Sequence, residues 1–131
     1  MKYLSHYTEK GMSELFKNTG AFFAFSNSQY EEGKKENVEY ISMGSGMLCP
    51  KNNAKELAQG LETIVSNGIV QDIKENGIKA IIHRELGNHE AQITMALDDT
   101  IDALIDYPIT ENDILSEWKE YYAYCVANDY F

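Results

Sequence analysis

Four side chains that could share a proton or a metal ion fall within eight residues: His83, Glu85, His89 and Glu90. A neutral imidazole beside a carboxylate can relay a proton or ligate a cation. On a helix Glu85 and His89 stand one turn apart and face the same way. A zinc-protease centre needs two histidines at i and i+4 around a glutamate. Here the histidines are six positions apart and point to opposite faces, so one regular helix cannot bring both to one ion. The set Glu85, His89 and Glu90 is therefore carried as a second reading, a metal-dependent enzyme or ligand-binding site. The first reading is structural: His89 and its neighbours pack or cap the end of a helix.

A larger group of charges follows. Residues 98–131 hold nine acidic side chains and one basic one, Lys119, out of a net charge of −10 for the chain. Asp98, Asp102 and Asp106 recur at every fourth position with Asp99 alongside, and Asp113, Glu117 and Glu120 repeat the pattern further on. Carboxylates spaced in this way line one helix face about 5–6 Å apart and repel one another. Such a face repels phosphate backbones, which argues against direct nucleic-acid binding. It steers the chain towards basic surfaces instead. These seven residues are the expected partner-binding set, with plain solvation of an acidic face as the alternative.

Other chemistries lack their signatures. Asp98–Glu111 has no glycine at the sixth position of a calcium loop and no alternating ligands. Gly44-Ser45-Gly46 follows a strand-like run, but no phosphate-loop lysine and no third glycine of a dinucleotide fingerprint accompany it, so it reads as a turn. Cys49 has no nearby histidine, and no nucleophile elbow is present. No cofactor is expected, and enzyme activity is the less favoured reading. Two cysteines outside any CxxC pair do not make a secreted disulfide framework. The N-terminus shows no signal-peptide core, and no run approaches the ~18 apolar residues of a membrane span. A cytoplasmic setting is expected, with no membrane contact.

The elements that must hold these residues come from periodicity. One hundred and thirty-one residues suffice for a single domain, 1–131, with a real core. A first helix is expected over 5–18, with Gly11 weakening it and Asn18-Thr19-Gly20 stopping it. Ala21–Phe25 and Asn37–Met43 read as two short strands, the second with Val38, Tyr40 and Ile41 inward. A helix over 29–36 between them is opened by Ser28 and Glu31 at capping-box spacing. Asn53 opens a long helix whose apolar phase runs through Gly68, a weak point at which a break into two helices is the alternative, to Lys74. Residues from Ile78 to Gly87 read as a helix, and the Ile-rich start also suits a strand. Asp98 or Asp99 caps a short helix with Ile101, Leu104 and Ile105 inward. Thr110 caps the last helix, with Asp113 at its third position. The expected fold is α+β, mainly helical, with a small two-stranded sheet.

Three segments, LFKNTGAFFAFSNSQYEEG (15–33), YISMGSGMLCPKNN (40–53) and ELGNHEAQITMALDDTIDAL (85–104), cover about 40% of the chain. In order and spacing they resemble a family of small bacteriophage and prophage proteins, many from gut bacteria. The resemblance brings no catalytic residue, cofactor or substrate. It implies a phage or prophage origin and action in the bacterial host's cytoplasm. By analogy of class it suggests inhibition of a nucleic-acid-handling or defence system, as anti-CRISPR proteins do. The expected function is thus binding to a host protein with a basic surface. A further alternative is a structural or regulatory homodimer using tyrosines such as Tyr121 or Tyr124.

Overall fold

The computed structural model describes residues 1–131. The fold is α+β and mainly helical, with seven α-helices and one antiparallel sheet. The chain forms two compact units, residues 2–70 and residues 71–131 together with Met1.

In the first unit, α1 (Leu4–Thr19) starts where the His6 ring nitrogen Nδ1 accepts from the Tyr3 amide at 3.0 Å. It stops as expected at Gly20, whose φ of 79° turns the chain out of the helix. Then come β1 (Phe22–Phe23), α2 (Asn27–Gly33), β2 (Tyr40–Gly44), β3 (Met47–Pro50), a single 3-10 turn (Lys51–Asn53) and α3 (Ala54–Asn76). The sheet has three strands, not two, in the order β1-β3-β2. β3 pairs with both neighbours, Leu48 opposite Phe22 and Cys49 opposite Ile41. Ser45 and Gly46 form a two-residue hairpin loop with φ of 52° and 81°, the geometry that matches the twist of the flanking strands. Met47–Pro50 escapes a sequence reading because it is short, ends in proline and does not alternate. Its strand character comes from non-local pairing. Val38, expected inward, lies before β2 and is exposed. Ser26 rather than Ser28 caps α2, accepting from the Gln29 amide at 3.2 Å.

Ala21, Cys49 and Leu57 are buried together, with Leu15, Phe16, Met43, Met47 and Leu61 packed around them. Burial pushes the Cys49 thiol pKa above its ordinary value, helped by Glu56, so the thiol is inert at neutral pH. The helix glycines have a packing role. A Cβ on Gly60 would come within 2.7 Å of Leu15, and one on Gly68 within 2.7 Å of Thr8, while Gly11 faces Ile64. α1 and α3 therefore approach through glycines on both helices. Gly68 interrupts nothing, and α3 is one helix as its apolar phase requires.

In the second unit, Gly77 (φ 80°) separates the last turns of α3 from α4 (Ile78–Asn88). α5 (Ala91–Thr94), α6 (Asp98–Ala103) and α7 (Glu111–Asn128) follow. α4 is a helix, not a strand, and packs against α5, α6 and α7. Ile81, Ile82, Leu86, Ala91, Leu104, Tyr107, Ile114 and Cys125 are the buried apolar side chains of this unit. Leu97, not Asp98 or Asp99, occupies the N-cap of α6, and the two aspartates sit in its first turn. Ile105 lies past the end of α6 and is 74% exposed, contrary to its expected inward position. The expected cap of α7 is present: Thr110 Oγ1 accepts from the Asp113 amide at 3.1 Å, and Asp113 accepts from the Thr110 amide at 2.9 Å. On α7, Ile114 and Cys125 are buried, while Leu115 is exposed.

Candidate functional site

α4 positions the chemistry of the second unit because it is the helix its neighbours pack on. Its buried face carries a charge that sequence reading passed over. Arg84 donates to both oxygens of Asp72, at 2.9 and 3.1 Å, and to Glu85 Oε1 at 3.0 Å. Asp72, fully buried near the end of α3, also accepts from Tyr107 Oη at 2.6 Å and from Asn76 at 2.8 Å. Burial alone would raise the Asp72 pKa, but the hydrogen bonds from Arg84, Tyr107 and Asn76 outweigh it and hold the carboxyl below its ordinary value. Burial raises the Tyr107 hydroxyl pKa, and donation to Asp72 raises it further. Every strong donor and acceptor here is matched, which marks a structural lock rather than a reactive centre. The signal for it was one arginine on the apolar face set by Ile81, Ile82 and Leu86.

The lock decides the state of the first-named residues. Glu85 is buried, one oxygen held by Arg84 and the other 3.5 Å from His89 Nε2. His89 ends α4, and its Nε2 is buried without a hydrogen-bond partner. Glu90 is exposed, with its backbone in the left-handed region (φ 50°). Glu85 and His89 thus share a face as their spacing requires, with one Glu85 oxygen taken up by an arginine that it shares with Asp72.

A different set of donors converges between α4 and α7. His83 Nε2 lies 2.8 Å from Glu117 Oε2, and Glu120 stands one turn along α7. One donor atom from each of the three lies within 4.8 Å of the others. The His83 and Tyr121 rings meet in a T-shaped contact at a 5.7 Å centroid distance. Lys79, one turn before His83, donates to Glu120 at 2.7 Å. That bond lowers the Glu120 pKa and raises that of Lys79. Spacing within one helix could not show this cluster, because His83 and Glu117 are 34 residues apart.

The seven expected partner-binding residues divide into two groups. Asp113 is committed to the α7 cap, Glu117 to His83 and Glu120 to Lys79. Asp98, Asp99 and Asp102 on α6, and Asp106 just beyond it, are exposed and in no ion pair. Of the two tyrosines named for a homodimer, Tyr121 is half-buried and donates to Gln92 at 3.3 Å. Its hydroxyl pKa is pushed up to about 12, by burial and then by Cys125. Tyr124 is exposed and packs on Tyr130. No helix is long and apolar enough to cross a membrane.

No curated protein and no solved structure matches this chain. Residues 4–123 match a family of unknown function, DUF7659, and with nearly its whole length matched the chain belongs to that family.

Proposed function

We propose that this chain is a non-enzymatic interaction protein of phage or prophage origin that docks its α6 edge on a basic surface of a host protein. A nucleic-acid-handling or defence protein, inhibited by the docking, fits the charge of that edge and the family resemblance of segments 15–33, 40–53 and 85–104. The observation that carries the reading is the unpaired row Asp98, Asp99, Asp102 and Asp106 around the exposed Ile105. Four like charges within nine residues repel one another and gain nothing from the fold beyond the helix dipole at Asp98 and Asp99. A basic partner offsets that repulsion, and burying Ile105 adds apolar area at the centre of the contact. The setting proposed is the host cytoplasm.

The test is retention of proteins from a host lysate by wild-type chain and by an Asp99→Lys/Asp102→Lys/Asp106→Lys variant. A prey held by wild type at low salt should be lost with the variant and weakened by ~0.5 M salt, which screens exposed charge. Urea melts of the two proteins should agree within about 1 kcal/mol, since these are surface positions. Equal retention by wild type and variant sinks the reading.

A further inference from the structure

We propose that His83, Glu117 and Glu120 form a binding site for a divalent transition-metal ion, with the Lys79 ammonium as a resident counter-ion that the metal displaces. The donor set is one imidazole nitrogen and two carboxylates, a mixture that suits Zn²⁺ or Co²⁺ better than Ca²⁺ or Mg²⁺, which favour oxygen alone. Metal bonds of ~2.0–2.1 Å place tetrahedral ligands about 3.3 Å apart. The three donors already lie within 4.8 Å of one another, so side-chain rotations close the set without moving either helix. Both helices are held where they are by the buried packing of Ile81, Ile82 and Ile114.

Two features separate this arrangement from an ordinary acidic surface. The imidazole packs against the Tyr121 ring in a T-shaped contact at a 5.7 Å centroid distance, which restricts its rotation. A cation also already stands at the cluster: Lys79 Nζ lies 2.7 Å from Glu120 Oε1. Glu120 thus already holds one positive charge, and a doubly charged ion competes for the same oxygens. His83 lines a cleft of about 690 Å³, Glu117 lines another of about 440 Å³, and Lys79 borders both. Swinging the ammonium into either cleft clears the carboxylates. Three protein donors leave a further position to water, as in sites that bind an exogenous ligand.

The experiment is calorimetric titration of the tag-free full chain with ZnCl₂, supported by the visible absorption of Co²⁺. Wild type should take up one equivalent. His83→Ala and Glu117→Gln should each weaken binding at least tenfold. Lys79→Gln, which removes the competing ammonium, should tighten it severalfold. His89→Ala should leave it unchanged and so separates this cluster from Glu85, His89 and Glu90. The gain expected of Lys79→Gln cannot come from a misfolded variant. Absence of binding in both wild type and Lys79→Gln overturns the proposal, as does binding by His83→Ala equal to wild type.

Discussion

Asp72 shows at the residue scale how much rests on one buried carboxylate. It neutralises Arg84 and receives Tyr107 and Asn76. Removing Asp72 leaves Arg84 with Glu85 as its carboxylate partner and deprives Tyr107 and Asn76 of their acceptor, so Asp72→Ala should lower unfolding free energy by about 3 kcal/mol in urea melts, the low end for breaking a buried pair. The pH dependence follows from the direction of the shift. The native Asp72 pKa is depressed, so its contribution is full above the unfolded value of ~3.9 and is lost as pH falls through the native value. The gap in stability between wild type and Asp72→Asn should therefore narrow as pH drops below about 4, and a constant gap would contradict it. Neither this lock nor the His83–Glu117 pair was legible in the sequence as a pair. Asp72 and Arg84 are 12 residues apart, and Arg84 and Tyr107 lie on different elements. What was legible was one turn's worth of geometry, Glu85 beside His89. The arginine that claims Glu85 stood next to it and was passed over, because adjacency on a helix does not ordinarily bring side chains together.

At the scale of elements, apolar periodicity located the helices well because burial on one face is what it records. It missed β3, whose strand character depends on partners elsewhere, and it mistook the glycines of α1 and α3 for weak points. A helix interior glycine costs about 1 kcal/mol relative to alanine, so Gly68→Ala would stabilise an exposed helix. Here the new methyl meets Thr8 Cγ2 at 2.7 Å, and Thr8 is buried. Overpacking of this kind costs about 1–3 kcal/mol, so Gly68→Ala should come out destabilising in urea. In a Thr8→Ser background, which lacks the obstructing methyl, the same change should turn neutral or stabilising. A loss of equal size in both backgrounds would mean that close approach is not the reason for glycine.

Across the whole molecule, the charge is divided as unevenly as the chemistry. Residues 2–70 hold eight acidic and seven basic side chains, and residues 71–131 hold thirteen and four. The acidic character thus belongs to the second unit, where both the unpaired aspartates and the His83 cluster lie. Within that unit α5 is a single turn bracketed by Glu90 and Met95 at φ of 50° and 59°. Non-glycine residues in that region are strained, and two within six positions leave little to resist local opening. Ile93 and Met95 are already more than half exposed there. The consequence is one of timing. Amides of residues 91–95 should exchange with deuterium well before those of α4, and a protease supplied sparingly should nick the native chain there first. Glu90→Gly and Met95→Gly relieve the bracket and should lengthen the life of the intact chain. If cleavage starts elsewhere, the bracket is not where the molecule begins to come apart.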